Sequence, residues 1–171
     1  MDSFKNRIRH VPDFPKPGIL FYDITTLLRD RQGFREVVDA VAAPFFESGI
    51  DVVVGIESRG FILGGAVADR LGAGFVPVRK PGKLPARAVT ESYALEYGTD
   101  RLEMHEDAIS AGNLVLIVDD VIATGGTARA TAGLVRRLGG RVHALAFLIE
   151  LEFLNGRRQL EGEAIHSVVR Y

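Results

Sequence analysis

The sequence predicts an α/β fold, a Rossmann-like parallel sheet with helices on both faces. Two apolar runs rich in β-branched residues, 51–56 and 114–118, have the composition of strands buried on both sides. Segments with helical periodicity follow both runs, and glycines stand where each helix should end. This alternation implies right-handed βαβ units and therefore a parallel sheet. A length of 171 residues suits one domain spanning 1–171.

Residues 1 to about 30 are expected to form an arm outside the sheet. Three prolines and a glycine crowd positions 12–18, and they block a long helix and hold the backbone extended or turned. Residues 19–23 then have the pattern of a short strand. Taken alone, the arm is a surface segment packed over the core.

From Gly33 onwards, helices and strands alternate. The polar residues 155–162 are predicted to be a mobile loop. The charged turns 57–60 and 119–127 both follow the carboxyl ends of strands, where ligands bind in such sheets, so we expect them to face one crevice. The predicted order is a helix over 33–45, a strand over 51–56, a helix over about 61–71, strands over 75–78 and 114–118, a helix over 127–138, and strands over 142–151 and 165–169.

Residues 79–107 interrupt this alternation. The segment begins with three cations and two prolines between positions 79 and 85. About thirty residues without a clear helix are long for a connection between core strands, and such segments are usually lids or binding loops. Alternation within 92–97 and near 102–105 allows a two-stranded flap. We therefore expect a flexible lid here.

The stretch 114–127 is the candidate for an anion site. Asp119 and Asp120 follow the strand, two glycines form the next turn, and Thr127 opens a helical segment. In this arrangement free backbone N–H groups and the positive end of the helix dipole point at the same place. The sequence has neither the Gly-Lys-Ser/Thr of the ATP-binding loop nor the dinucleotide spacing. Because two carboxylates repel a bare phosphate, we expect a ribose 5-phosphate, with its phosphate on the loop amides and its hydroxyls on the carboxylates.

A second anion site is predicted at Arg59, in a glycine-flanked turn after the strand 51–56. An isolated arginine in a turn is usually solvated, but its planar fork of donors suits phosphate oxygens. Lys80 and Lys83 could add charge from the lid.

Composition excludes several function classes. The net charge is −1, which gives no argument for a nucleic-acid or membrane partner, and the absence of cysteine excludes thiol nucleophiles and zinc–thiolate sites. Four histidines occur singly, without the spacing of metal ligands. Nowhere do eighteen apolar residues occur together. A cytoplasmic protein is the expectation.

Residues 114–127 resemble the phosphoribosyl diphosphate-binding motif of the type I phosphoribosyltransferases: an apolar strand, two acids, then Thr-Gly-Gly-Thr. The resemblance runs from Ile8 to about Leu151 and leaves the C-terminal tail unassigned. It implies transfer of phosphoribose from phosphoribosyl diphosphate to adenine, giving AMP and diphosphate, a reaction of purine salvage. Such a transfer passes through an oxocarbenium-like transition state, so the departing diphosphate needs stabilising. Mg²⁺ would serve, carried mainly by substrate oxygens, and no protein metal ligand is assigned. Four more stretches resemble the adenine-specific branch of this family: 12–19, 57–61, 79–85 and 93–98.

The same resemblance implies a role for each matched residue. Asp119 and Asp120 would lie at the ribose, and Arg59 at the diphosphate. Glu96 would exchange a proton with the base, although a flap carboxylate can also simply face solvent. Family members are typically homodimers, so Arg79 could reach across an interface. The other implied contacts are Ala123, Thr124, Gly125, Gly126 and Thr127 to the 5′-phosphate, Arg79, Lys80 and Lys83 to the diphosphate, and Leu20, Phe21 and Tyr22, in a hood formed by the arm, to adenine.

One departure and two alternatives remain open. Several family members have arginine where this chain has Tyr22, so any contribution of a guanidinium is lost here. The first alternative is the same reaction on hypoxanthine, guanine, xanthine or orotate. The second is a regulatory protein that binds phosphoribosyl diphosphate without transferring it, a class that usually needs a DNA-binding segment. A slightly acidic chain without a spare domain does not favour the second alternative.

Overall fold

A computed structural model gives the structure of the protein and describes residues 2–94 and 99–171. Its strands are β1 (Arg9–Pro12), β2 (Leu20–Asp23), β3 (Val52–Ile56), β4 (Gly74–Val78), β5 (Ala88–Ala94), β6 (Thr99–His105), β7 (Leu114–Ile122), β8 (Arg141–Glu150) and β9 (Ile165–Arg170). Its α-helices are α1 (Asp2–Lys5), α2 (Thr25–Leu28), α3 (Arg31–Ala42), α4 (Arg59–Leu71) and α5 (Gly126–Arg137). Short 3₁₀ helices span Ala43–Phe45, Glu152–Leu154 and Gly156–Leu160.

Five strands form a parallel sheet in the order β4-β3-β7-β8-β9. The central strands are fully buried, as Val53, Leu116 and Ile117 show with no exposed surface. Helices α3 and α4 contribute apolar side chains to the core on one face of the sheet, and α5 does so on the other. Coverage of both faces explains why these strands read as continuous apolar runs rather than alternating ones. The predicted α/β fold is confirmed.

Strand β7 is longer than predicted. It continues past the apolar run through Asp119 and Asp120 to Ile122. The reason is its neighbour β8, which keeps pairing with it, so that Asp119 lies opposite Phe147 and Ile122 opposite Glu150. The two acids therefore project from a rigid strand rather than from a turn.

The N-terminal arm forms a small antiparallel hairpin of β1 and β2, with Arg9 opposite Asp23. The short strand predicted at 19–23 is present, while β1, its partner, was not predicted. On one face of the hairpin Tyr22 is 8% exposed and packs against Tyr171, with ring centroids 4.3 Å apart. The arm is thus attached to the core through the last residue of the chain.

The segment after β4 contains the expected flap, because β5 and β6 pair antiparallel from Ala88 opposite His105 onwards. The base of the flap is more firmly attached than a free lid would be. Leu102 and Met104 are 2% and 0% exposed and belong to the core beside Val78. Backbone hydrogen bonds between Arg79 and Glu103 also close the base.

The prediction of a mobile loop over 155–162 is wrong. The 3₁₀ helix Gly156–Leu160 occupies most of this region, and Leu160 is only 3% exposed. The polar composition misled the prediction because one of the polar side chains, Arg157, anchors the segment to the sheet. Arg157 forms a two-pronged contact with Glu150, with Nε–Oε1 and Nη2–Oε2 distances of 2.5 and 2.7 Å.

Candidate active site

A cleft of about 710 Å³ opens at the carboxyl ends of β3 and β7. Strand β3 lies between β4 and β7 in the sheet. After β3 the chain forms first its neighbour on one edge, β4, and later its neighbour on the other edge, β7. The space between β3 and β7 is thus the switch point at which ligands bind in such folds. The predicted residues that line the cleft are Leu20, Phe21, Tyr22, Arg59, Lys80, Asp119, Asp120, Ala123 and Thr127.

The predicted phosphate loop connects β7 to α5. Gly125 has φ +86°, a left-handed conformation that suits glycine, and it stands at the start of α5 without a side-chain cap. The helix begins at Gly126, one residue earlier than predicted. A hollow of about 70 Å³ beside the loop is lined by Ala123, Thr124, Gly125 and Thr127, among others. Uncapped N–H groups around such a hollow can bind a phosphate group.

The two acids of β7 differ in their surroundings. Asp120 is 5% exposed and its Oδ2 lies 2.6 Å from Arg59 Nε, while Asp119 keeps part of its surface in the cleft. Burial raises the pKa of Asp120, although the Arg59 charge opposes that shift. Burial, and then the charge of Asp120, raise the pKa of Asp119 well above its usual range. A cation or a hydroxyl group in the cleft would relieve this crowding of negative charge.

Arg59 joins the acids to the predicted adenine strand. It is the first residue of α4, and the next residue, Gly60, lets the helix approach β7, since a Cβ there would lie 2.7 Å from Asp119 Oδ1. The guanidinium carbon of Arg59 lies 4.8 Å from the centre of the Phe21 ring. This stacking and the ion pair with Asp120 fix the guanidinium at the middle of the cleft.

The predicted adenine strand lies along one wall of the cleft. Leu20 is 44% exposed and Phe21 is half-buried, with the ring of Phe14 edge-on to it at 5.1 Å. Tyr22 packs between His10 and Tyr171, and burial raises its pKa. Apolar surface beside extended backbone can bind a flat heterocycle.

The predicted diphosphate cations are tied to carboxylates. Glu57 forms an ion pair with Lys83 and accepts hydrogen bonds from Arg79 Nε at 3.3 Å and from the Lys80 N–H at 3.0 Å. Burial works against ionisation of Glu57, but these contacts outweigh it and lower the pKa. Lys80 Nζ lies 3.3 Å from Asp100. Lys80 lines the cleft, whereas Arg79 and Lys83 stand behind it through Glu57.

Glu96, the predicted acid/base, lies outside the described residues. Tyr93, in strand β5, was given no role from the sequence, yet it lines the cleft and its hydroxyl donates a hydrogen bond to Asp100 at 3.2 Å. Glu57 was also missed, although it opens the motif that contains Arg59. Leu151, the last residue of the strand predicted over 142–151, and Leu154, just before the predicted loop, also line the cleft, and no sequence pattern gave either a role there.

Three of the four histidines pack against aromatic rings or a backbone carbonyl. His10 packs on Tyr22 and Tyr171, His143 on Phe45, and His166 contacts the Ala40 carbonyl at 2.9 Å. Within residues 2–94 and 99–171, no group of three or more histidine and acidic side chains could hold a metal ion. In the same ranges no helix is both long and apolar enough to cross a membrane.

Known proteins of one family resemble this chain. The family described as phosphoribosyl transferase domain matches residues 25–169. An adenine phosphoribosyltransferase of Acidobacterium capsulatum is 58% identical over 170 residues, which covers 99% of this chain and 94% of the relative. The crystal structure of adenine phosphoribosyltransferase from Rhodothermus marinus is 57% identical, with a TM-score of 0.96 and coverage of 99% of this chain and 97% of that one.

A further similar structure was solved with ligands. It is adenine phosphoribosyltransferase of Saccharomyces cerevisiae, complexed with an imino-altritol bisphosphate and adenine, and it is 42% identical with a TM-score of 0.92. The similarity covers 98% of this chain and 97% of the yeast chain. The similarity therefore extends beyond Leu151, where the sequence resemblance was expected to end, and it includes the C-terminal strand.

Proposed function

The chain belongs to the phosphoribosyltransferase family, and we propose that it transfers the phosphoribosyl group of phosphoribosyl diphosphate to adenine, forming AMP and diphosphate. The observation that carries this proposal is a single cleft that contains the phosphate loop, the acids of β7 with Arg59, and the exposed side of β2. Relatives named for the adenine reaction, more than half identical to this chain, support adenine as the base.

Each part of the cleft has its own task in this proposal. The loop Ala123–Thr127 binds the 5′-phosphate, and Asp119 and Asp120 bind the ribose hydroxyls. Adenine lies along Leu20, Phe21 and Tyr22, where backbone groups and ring stacking can read it. Arg59 and Lys80 bind the diphosphate, and Arg79 and Lys83 add positive charge from behind, through Glu57. Placing the two anionic ends and the base at fixed positions aligns the ring nitrogen with C1.

Charge stabilisation is the main catalytic contribution in this arrangement. As the bond from C1 to the diphosphate breaks, positive charge develops on the sugar and negative charge on the leaving group. Arg59 is already oriented by Asp120 and Phe21, so little reorganisation is needed when it binds the leaving group. The carboxylates of β7 lie on the sugar side, where they favour the oxocarbenium ion.

Magnesium fits the donor set of the cleft. Asp119 and Asp120 are two crowded carboxylates with raised pKa values, and burial is the first cause for both. Among the residues that the structure describes, no group of three or more histidine and acidic side chains could hold a metal ion, and two carboxylates suit an ion that takes its other ligands from water and substrate oxygens. When bound with the substrate, Mg²⁺ neutralises charge on the diphosphate. We propose that these two residues are its nearest protein groups.

Glu96 is proposed as the acid/base that exchanges a proton with adenine. It follows β5 of the flap, whose described residue Tyr93 already reaches the cleft. Glu96→Gln should lower kcat about 100-fold while the dissociation constant of adenine stays within twofold, the size expected for losing one proton-transfer group. Glu106→Gln, an exposed carboxylate beyond β6, is the control. Unchanged kcat in Glu96→Gln would return Glu96 to the role of a solvated side chain.

We also propose that the chain works as one domain in a homodimer in the cytoplasm, with small molecules as substrates and neither nucleic acid nor membrane as partner. The edge strand β4 and the helix α4 beside it support an interface, because Phe75 and Ile62 are 38% and 46% exposed there. In a dimer, Arg79 could act in the partner's cleft. Sedimentation of the intact protein at micromolar concentration should give twice the chain mass.

The reaction itself is tested by ³¹P NMR. Protein, adenine, phosphoribosyl diphosphate and Mg²⁺ should give the signals of AMP and free diphosphate in equal amounts, and chelation of Mg²⁺ should stop the conversion. Binding of phosphoribosyl diphosphate without any new signal would support the regulatory alternative. Transfer only with another base would support the first alternative named above.

A further inference from the structure

The phosphate loop rests directly on the 3₁₀ segment Gly156–Leu160, backbone against backbone. A Cβ built on Gly156 would lie 2.3 Å from the Ala123 carbonyl oxygen and 3.2 Å from its carbon. A Cβ built on Gly125 would lie 2.4 Å from the Gly156 carbonyl oxygen. Both separations are far below contact distance, so each position accepts only glycine unless the backbone moves. Gly125 and Gly156, thirty-one residues apart in sequence, therefore allow the phosphate loop and the 3₁₀ segment to pack with their backbones in contact.

The segment that carries Gly156 is itself held in place. Arg157 binds Glu150 with both prongs, at 2.5 and 2.7 Å, and the Glu150 side chain is only 6% exposed. The hydrogen bond from Arg157 is the main reason that the pKa of Glu150 is lowered. Glu150 ends β8, opposite Ile122 of β7. Leu160 closes the other end of the segment as part of the core. Gly156 is thus a fixed surface for the loop.

We propose that Gly156 is a positioning residue for the 5′-phosphate, held by the Arg157–Glu150 pair. This inference rests on the proposed function and adds a residue outside the phosphate motif to it. The Ala123 carbonyl and the Thr124 N–H belong to one rigid peptide plane, so displacement of the carbonyl also turns the N–H. Hydrogen bonds weaken steeply as their angle and length depart from the ideal. Gly156 therefore sets the direction of a loop N–H without touching the substrate.

The direct test is Gly156→Ala. We expect the KM for phosphoribosyl diphosphate and the Kd for AMP to rise about tenfold, as for the loss of a hydrogen bond to a charged group. The KM for adenine should stay within twofold, because β2 is on another wall of the cleft. This split separates a positioning role from a general loss of structure, which would weaken both substrates alike.

Two controls and two further variants accompany it. Gly65→Ala makes the same change in α4, where an added Cβ meets nothing within 4 Å, and should leave both KM values unchanged. Arg157→Ala should reproduce the phosphate-specific effect, since the segment loses its anchor. Arg157→Lys should fall in between, because an ammonium cannot form the two-pronged contact. Arg158→Ala, at the exposed neighbour, is the matched control.

Binding of ribose 5-phosphate, measured by calorimetry, separates this inference from the proposed function, because it needs neither adenine nor transfer. If the wild-type protein forms no AMP, the proposed function fails, and weaker binding of ribose 5-phosphate to Gly156→Ala would still support the inference. If Gly156→Ala does not fold, Arg157→Ala and Arg157→Lys decide. Unchanged affinity for phosphoribosyl diphosphate, AMP and ribose 5-phosphate in the folded variants would overturn the inference, as would an equal loss of affinity for adenine.

Discussion

At the scale of single residues, the proposed function depends most on the ion pair between Arg59 and Asp120. One partner is nearly buried, the other reaches from a helix N-terminus, and Phe21 covers the guanidinium. A buried carboxylate with one cationic partner orients that cation strongly. The pair serves the orientation of Arg59 more than the stability of the fold, because burying the Asp120 charge offsets much of the attraction.

Asp120→Asn tests this interpretation. The amide keeps the shape and removes the charge, so kcat/KM for phosphoribosyl diphosphate should fall about 100-fold, the usual size of one electrostatic contribution. The melting temperature should change by less than about 4 °C, because stability changes by less than 1 kcal/mol. Asp39→Asn, in an ion pair with Arg70 outside the cleft, is the control. Near-normal kcat/KM in Asp120→Asn would remove Asp120 from the site.

The raised pKa values of the two acids predict a pH dependence. Burial comes first among the causes for Asp119, and the charge of Asp120 second. Because both acids must be ionised to bind the sugar and Mg²⁺, kcat/KM should fall on acidification at a pH above the usual carboxylate range. The free energy of unfolding should change in the opposite direction. A carboxyl whose pKa is raised in the folded state is costly to ionise there, so acidification should increase the contribution of these two acids to stability.

The variant Asp120→Asn also tests that pH dependence. With one charge removed, the pKa of Asp119 should fall, and the acid limb of its kcat/KM profile should move to lower pH than in the wild type. The measurement is the profile of both proteins in one buffer series. An acid limb at the same pH in both would contradict the coupling between the two carboxylates.

At the scale of elements, the hood depends on the end of the chain. Tyr171 packs on Tyr22 at 4.3 Å and on His10 at 5.5 Å, and its backbone N–H donates to the Glu150 carbonyl. The strand β2, proposed above to bind adenine, is therefore attached to the sheet by an aromatic contact. Its partner β1 alone is too short to hold it.

Tyr171→Ala should loosen this hood. We expect the KM for adenine to rise several-fold, in line with about 1 kcal/mol for an aromatic pair, while the KM for phosphoribosyl diphosphate stays within twofold. Tyr171→Phe keeps the ring and should restore the KM for adenine. The two KM values of both variants are the measurement. An unchanged KM for adenine in Tyr171→Ala would show that the hood does not depend on this contact.

Elements whose residues follow one another directly in the sequence were predictable. β7, the phosphate loop and α5 follow one another between Leu114 and Arg137, so periodicity and turn residues were sufficient to place them. The support beneath the loop was not predictable, because Gly156 meets Ala123 across a long sequence separation and through backbone atoms, which leave no periodic signal. For the same reason Glu57 was missed, since its role depends on Lys83, twenty-six residues away.

At the scale of the whole molecule, the sheet brings distant segments to one edge. The arm, the turn after β3, the flap and the loop after β7 all line the same cleft. Their meeting follows from the strand order, which places the switch point between β3 and β7. Local sequence predicted several members of the site, and this topology explains why they lie together.

The central claim is that this cleft transfers phosphoribose to adenine in preference to other bases. The most direct measurement is kcat/KM for adenine, hypoxanthine, guanine, xanthine and orotate with saturating phosphoribosyl diphosphate and Mg²⁺. Adenine should exceed every other base by at least about 1,000-fold, because a site built to hydrogen-bond one base leaves polar groups unpaired with the others. An equal or higher kcat/KM for any other base would contradict the claim.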